Sequence, residues 1–485
     1  MPARRVAVIG TGYVGLTTGA CLASLGHVVV CADADPHKVE RLREARVDIL
    51  EPGLPETVRD ALDANRLDFT GDTAAAVAEA EVVYLCLPTP MGAGGAADLA
   101  AVEAVAGQIR DVLPPGCVVV NKSTVPVGTC ERVAALLGRA DVAVVSNPEF
   151  LREGHAVHDF LHPDRIVIGA ADRDTARRVA DLYAELDAPL VLTDTASAEL
   201  TKYAANFFLA MKLSFANNLA TVCERFGADI ADVTEGIGRD PRIGSAFLRP
   251  GPGWGGSCLP KDTHALLTAC DRAGVDFPLL RATIETNVTH QRRLVERVAA
   301  ACGRGADGSL HGVRLTLYGL TFKAGTSDLR DSPALAVARL LRERGRRTHR
   351  VRPGVARGPA RSERSGRSRG RPGAGRGGGG GLRGPHRVAG AARRGLGGDR
   401  HAHGRPRGPR LPQPAGRGPA RAGRADLAGR RTRGGAGASG VNHARGGRSS
   451  RLRRLASSRP PVALVLPAAG VVRGLLRSFA PLIPS

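Results

Sequence analysis

The sequence predicts an α/β fold class: a doubly wound parallel sheet first, then a helical unit joined to it by one long helix, then the opening of a second α/β unit. Three observations predict it. Short apolar runs alternate with helical patterns from residue 5 to residue 169. Residues 196–226 contain neither Pro nor Gly and carry apolar side chains at helical spacing. A last strand-and-helix pattern, 313–344, breaks off into an Arg, Gly, Pro and Ala composition.

The first element is the apolar, β-branched run 5–9, which reads as a buried strand. It enters Gly10-Thr11-Gly12-Tyr13-Val14-Gly15, and a helical pattern follows as far as Gly26. The next strand, 27–33, ends in Asp33, 18 residues after Gly15. Strand, GxGxxG, helix and a closing acid together form a dinucleotide fingerprint. The first glycine makes the turn, the second lets a pyrophosphate approach, and the third lets helix and strand pack. The helix N-terminus offers backbone N–H groups to phosphates. Asp33 would accept from ribose hydroxyls and repel a 2′-phosphate, favouring NAD over NADP.

Further strands are predicted at 81–87, 117–121, 141–145 and 165–169. A Rossmann-like parallel sheet binds ligands outside the carboxyl ends of its strands. Thr89, Thr124, Glu149 and Glu153 gather there, each also an ordinary turn residue when taken singly. In the long helix Lys202 and Asn206 stand four apart and share a face, which Ala210 and Ser214 continue. Residues 229–290 read as helical again, interrupted at 236–244 and at 253–262. Arg249 and the glycines after it suit an anionic ligand.

The interruption at 253–262 is the centre of the chain. Cys258 follows Gly255, Gly256 and Ser257, precedes Lys261 and Asp262, and lies just before a helical pattern. A thiol at a helix N-terminus beside a lysine is expected to have a depressed pKa and to act as a nucleophile. A Gly-rich loop around a buried cysteine fits the same residues.

Composition divides the chain. Residues 351–485 hold 30 Arg, no Lys and three acids, a net of +27, while residues 1–350 carry a net of −4. The tail cannot bury enough apolar surface to offset chain entropy and is expected to be disordered. The expected domains are 1–195 for the dinucleotide, 196–302 as a helical unit, 312–345 as the remnant of an α/β unit, and 346–485 as a basic tail. The nine cysteines show no paired metal-type spacing, so no metal is expected, and most lie in apolar runs as reduced core residues. No signal peptide and no membrane-spanning run is read, which points to a cytoplasmic protein.

Taken together, several motifs identify a family. They are the turn at 10–15, Ser123-Thr-Val-Pro-Val-Gly128, Asn147-Pro-Glu-Phe-Leu151 with Glu153 and Gly154, and Lys202 with Asn206. Arg242-Ile-Gly244, Gly255-Gly-Ser-Cys-Leu-Pro-Lys-Asp262, and Phe322-Lys323 with Asp328-Leu-Arg330 complete the set. In order and spacing from residue 4 to about 345, the chain resembles the UDP-glucose/GDP-mannose dehydrogenase family, most closely its bacterial UDP-glucose branch.

The resemblance implies oxidation of UDP-glucose at C6 to UDP-glucuronate, with two NAD and one water, in the supply of sugar acids for polysaccharide. It implies that Lys202, Asp262 and a water handle the alcohol proton and the oxyanion, and that Asn206 holds that oxygen. Cys258 would form a thiohemiacetal and then a thioester, and Glu149 and Thr124 would serve the hydrolytic water. NAD would lie on Gly10, Gly12, Tyr13, Val14 and Gly15, with Asp33 and Lys38 at the ribose and Thr89, Thr124, Glu153, Lys261 and Arg330 nearby. The substrate would meet Glu149, Phe150, Leu151, Arg152, Glu153, Lys202, Asn206, Phe247, Leu248, Arg249, Pro250, Gly251, Gly255 and Lys323. Arg242 would reach in from a second subunit of a homodimer built on the central helix.

The chain departs from the family after Gly345, where a second strand is expected and Arg-rich sequence stands instead. Such a switch is what an out-of-frame reading of a GC-rich gene would give. The missing binding energy for the nucleotide end predicts a weak or inactive enzyme. GDP-mannose and an N-acetylhexosamine nucleotide are the alternative substrates. The readings from other classes are an NAD or nucleotide-sugar binder without catalysis, and an Arg-rich polyanion binder. The tail's single aromatic, Phe479, argues against specific nucleic-acid recognition.

Overall fold

Strand β1 (Arg5–Ile9) shows how the first domain is built. Val6 and Val8 point into one apolar cluster, and Ala7 and Ile9 point into a second on the other face. A strand buried on both faces belongs at the middle of a sheet covered by helices on each side. The computed structural model describes residues 2–303 and 308–345, with the backbone of two short strands beyond them.

The sheet adds β2 (Val28–Ala32), β3 (Leu67–Thr70), β4 (Val82–Leu85), β5 (Val118–Asn121), β6 (Ala143–Ser146), β7 (Ile166–Gly169) and β8 (Leu190–Thr193). Their spatial order is β3-β2-β1-β4-β5-β6-β7-β8. The expected wholly parallel sheet needs one correction: β7 meets β6 antiparallel, with Ser146 opposite Gly169. The link between these strands holds only the six-residue helix Ala156–Leu161. At 1.5 Å rise per residue that helix spans about 9 Å, too little to carry the chain back for a parallel return. Strands β3 and β8 are the two edge strands and escape sequence reading: β3 interleaves the polar Asp68 and Thr70 with its apolar residues, and β8 exposes Leu190 and Val191.

Helix Thr195–Phe226 leaves the sheet next. The Asp194 carboxylate caps it, accepting from the Ser197 N–H at 2.7 Å, and Gly227 ends it at φ 72°. Helices Ile230–Gly238, Leu259–Arg272 and Pro278–Ala301 fill the central unit. Tyr203 and Phe207 of the long helix pack with Ala265, Leu266 and Leu280.

The last unit keeps β9 (Leu315–Tyr318) and helix Pro333–Arg344, packed on Val295 and Ala299 of helix Pro278–Ala301. Sequence reading leaves this unit a single strand. The structure places β10 (Arg352–Gly354) and β11 (Val462–Val465) parallel to β9 on either side of it. Apart from these two strands, the disorder expected for 346–485 falls outside the described residues.

The glycines of the first turn have separable duties. A Cβ on Gly15 would lie 1.8 Å from the Gly10 carbonyl oxygen, whereas a Cβ on Gly12 meets nothing within 4 Å. Gly15→Ala should therefore destabilise the fold by about 3 kcal/mol. Gly12→Ala should cost about 1 kcal/mol or less in stability while weakening dinucleotide binding. Urea unfolding beside NAD titration separates them, and equal stability losses would contradict these roles.

Candidate active site

The dinucleotide end is assembled on backbone. Gly10 takes φ 93°, and its N–H donates to the Ala32 carbonyl at 2.7 Å, joining the turn to β2. Asp33 receives the Thr11 N–H at 2.9 Å, the Thr11 hydroxyl at 2.5 Å, the Lys38 ammonium at 2.9 Å and the Asp35 N–H at 3.1 Å. Burial works to raise this carboxyl, but these donors override it and hold it at about 2. The residues fit NAD: an anion stands where a ribose would lie, and the free space at Gly12 faces the start of helix Tyr13–Ser24. Thr89 donates to the Thr124 carbonyl at 2.9 Å, tying together the turns after β4 and β5.

The reacting cluster forms where the long helix crosses the end of β6. The Lys202 ammonium donates to Glu149 Oε1 at 2.9 Å, and both side chains are buried. Burial favours neutral forms of both. The attraction between them overrides it, so Glu149 is held below the usual carboxylate range and Lys202 is raised. Glu149 Oε2 also accepts the Leu151 N–H at 2.6 Å. Phe150 lies between two cations, with Arg165 stacked 3.6 Å from its ring centroid and Lys202 at 5.3 Å. One turn along the helix Asn206 donates to Asp262 Oδ2 at 2.5 Å, and Lys261 donates to Oδ1 of the same carboxylate at 2.5 Å. The structure thus brings Glu149, Lys202, Asn206 and Asp262 together.

Cys258 is the N-cap residue of helix Leu259–Arg272, as expected, and it is exposed, so the buried-loop alternative does not hold. Its predicted depressed pKa is corrected. Although its own surface is open, the thiol lies deep among protein atoms that displace bulk water, and this loss of solvation pushes it up; Glu149 adds to this, and Lys202 works against it. Lys261 does not help because its charge is spent on Asp262. The Cys258 sulfur is 3.5 Å from Ser257 Oγ, which in turn donates to Glu153 at 2.9 Å.

Glu153 joins three parts of the chain. Besides Ser257 it faces Arg330 at 3.7 Å, and Arg330 itself forms a forked pair with Asp328. Burial raises the Glu153 carboxyl and lowers the Lys323 amine close by. The next residue, Gly154, donates its N–H to the buried Glu51 at 2.7 Å and to the Tyr13 hydroxyl at 2.8 Å, and Ala156 N–H donates to the other Glu51 oxygen at 2.7 Å. Sequence reading passes over Glu51 and Ser257. The one available signal for Glu51 is an acid just before Pro52 and Gly53.

The segment expected to line the sugar is partly engaged elsewhere. Arg152 commits its guanidinium to Asp159. Leu248 is buried, Arg249 exposed, and Phe247 has φ 60°. Gly251 is held at both ends, its N–H by Asn217 at 2.8 Å and its carbonyl by His290 at 2.7 Å. Gly255 abuts the last unit, since a Cβ there would lie 2.0 Å from the Asp331 carbonyl oxygen. Arg242 is exposed and, among the described residues, paired only with its neighbour Asp240. Among the described residues no cluster of His, Cys, Asp or Glu is arranged to hold a metal, and no helix is long and apolar enough to cross a membrane.

A dinucleotide turn combined with a thiol, a lysine–glutamate pair and an Asn–Asp pair defines an NAD-dependent oxidoreductase. The comparisons with known proteins narrow the class. Residues 4–187, 196–289 and 316–369 match the NAD binding, central and UDP binding domains of the UDP-glucose/GDP-mannose dehydrogenase family. The chain belongs to that family of nucleotide-sugar dehydrogenases. The third match runs past Gly345, where sequence reading places the break. UDP-glucose 6-dehydrogenase TuaD of Bacillus subtilis is 44% identical over 347 residues, covering 70% of this chain and 74% of the relative. The UDP-glucose 6-dehydrogenase of Rhizobium meliloti is 46% identical over 353 residues, covering 71% and 80%. The solved UDP-glucose dehydrogenase of Pyrobaculum islandicum superposes with a TM-score of 0.68 at 40% identity, covering 73% of this chain and 82% of that one.

The raised Cys258 thiol carries a prediction. Its alkylation by iodoacetamide, followed on the Cys258 peptide, should reach half its limiting rate at a pH above about 8.5, the midpoint of an ordinary thiol. A midpoint below that value would overturn the assignment.

Proposed function

We propose that this chain oxidises the C6 alcohol of UDP-glucose to the carboxylate of UDP-glucuronate in two hydride transfers. The observation that carries the reading is one cluster. An exposed thiol caps a helix whose first turn also supplies Asp262, and the long helix sets Lys202 and Asn206 beside Glu149 and Asp262. The supporting comparisons are with relatives whose names state UDP-glucose as substrate.

NAD supplies the hydride acceptor, twice per sugar. The chain's residues do the rest. Lys202, kept as an ammonium, and Asn206 donate to the alkoxide that forms as the alcohol proton leaves through water to Asp262. The aldehyde has no readily lost hydride until a nucleophile adds. Cys258 sulfur therefore attacks the carbonyl carbon, its proton is lost, and a thiohemiacetal forms as its alkoxide, which Lys202 and Asn206 again hold. Loss of the second hydride leaves a thioester. Glu149, kept ionised by Lys202, takes a proton from the attacking water, the carbon–sulfur bond breaks, and the thiol returns. Thr124 helps to place that water. The sum is one alcohol, two NAD⁺ and one water giving carboxylate, two NADH and three protons.

The nucleotide-sugar contacts fall to Glu149, Glu153, Lys323 and the 247–251 segment, and the NAD contacts to 10–15, Asp33, Lys38, Thr89 and Arg330. The chain acts as a homodimer in the cytoplasm. Supporting the dimer, Phe208, Phe215 and Val222 are exposed at seven-residue spacing along the long helix, an apolar stripe on one face. Six cysteines (Cys21, Cys31, Cys86, Cys117, Cys130 and Cys223) are buried as free thiols, which suits a reducing compartment.

The test is NADH formed per UDP-glucose consumed. Two are expected, with Cys258→Ser slowed on the order of a thousandfold. One NADH per sugar would refute the four-electron route. No NADH, with activity restored when the segment after Gly345 is replaced by the frame-corrected sequence, would assign the loss to that segment and not to the site.

A further inference from the structure

Lys122 is a buried charge that the reaction above does not use. It follows the fully buried strand β5 and is 5% exposed. Its ammonium donates to Asn147 Oδ1 at 3.0 Å and reaches the Tyr183 hydroxyl at 3.5 Å. It also lies 5.6 Å from the Tyr183 ring centroid and 5.9 Å from that of Phe160. Among the described residues no carboxylate lies within ion-pair distance of it. A buried ammonium held only by neutral groups is strongly unfavourable unless an anion somewhere needs it.

The neighbours identify that anion. Asn147 accepts from both Lys122 and Tyr183 (the latter at 2.7 Å), and its amide donates to the Val167 carbonyl at 2.8 Å. The Asn147 N–H donates to the Asn121 carbonyl at 2.9 Å. Asn147 is therefore fixed on every side. Glu149 is two residues further on, across Pro148, whose ring restricts the intervening backbone. Besides the Leu151 N–H, the titratable groups that act on Glu149 come from four elements. They are Lys202 of the long helix, Lys122 after β5, Cys258 before helix Leu259–Arg272, and Cys86 after β4. Lys122 and Lys202 are the two cations among them.

We propose that Lys122 is a positioning residue for Glu149: a fixed second cation that anchors the Asn147–Glu149 segment and keeps the Glu149 carboxylate ionised when Lys202 turns its ammonium toward the reacting oxygen. The role rests on the reaction assigned above to Lys202 and Glu149. A buried carboxylate left with a single backbone N–H once its ion-pair partner is called away would take up a proton more readily and cease to be a base. Lys122 cannot be called away, because its partners belong to the core of the first domain.

The test is the protonation of Glu149 in the full chain without substrate. It is followed by pH-difference infrared spectroscopy of the carboxyl band, assigned by its loss in Glu149→Gln. In the parent chain the band should grow in only below the usual carboxylate range. Lys122→Met should move its midpoint up by about one pH unit, a tenfold change in proton affinity. Lys122→Arg should restore at least half of that shift. Lys122→Gln keeps a polar group among Asn147 and Tyr183 and carries the test where the methionine variant does not fold. An unchanged midpoint in a folded neutral variant would overturn the proposal. So would a shift of equal size in Lys122→Arg, which would make the effect one of shape. The readout needs no turnover, so it stands apart from the test of the UDP-glucose reading. In a chain that turns over, the acid limb of kcat should move the same way.

Discussion

The ion pair between Lys202 and Glu149 is the constraint on which the site depends. Two charges 2.9 Å apart are buried together, one from a helix of the central unit and one from the end of a strand in the first domain. Such a pair is weak evidence for stability, because the loss of hydration offsets most of the attraction. Its value is chemical. It keeps a cation and an anion, both ready for use, in a place where either alone would be driven neutral.

The thiol is set by its neighbours more than by its own helix. The Gly255–Gly256 turn lies hard against Asp331 and Phe322 of the last unit, where any side chain would collide. Glu153 reaches Ser257 on one side and Arg330 on the other, while Glu51 and Tyr13 hold Gly154 beside the dinucleotide turn. The three parts of the chain thus converge within two residues of each other. A thiol kept protonated at rest fits an enzyme whose nucleophile should wait for an aldehyde instead of reacting with whatever enters.

Much of this was legible in the sequence where the signal is local. The 10–15 turn with Asp33, the long helix free of Pro and Gly, and Lys202 and Asn206 four apart all depend on neighbours a few residues away. Cys258 at a helix start was legible, but its protonation was not. Lys261 stands three residues from the thiol in sequence, yet gives its charge to Asp262, and Glu149 arrives from more than a hundred residues upstream. Glu51 and Lys122 were illegible for the same reason, since their partners lie on other elements. The reversal of β7 turns on a helix of only six residues, a length that composition does not announce.

The central claim is that the proposed oxidation passes through a covalent adduct on Cys258 that Glu149 helps to release. The most direct measurement is peptide mass spectrometry of Glu149→Gln quenched after incubation with UDP-glucose and NAD⁺. The account predicts that the Cys258 peptide carries a UDP-glucuronyl thioester that builds up because hydrolysis is slowed. An unmodified Cys258 in a variant that still releases two NADH per sugar would contradict it.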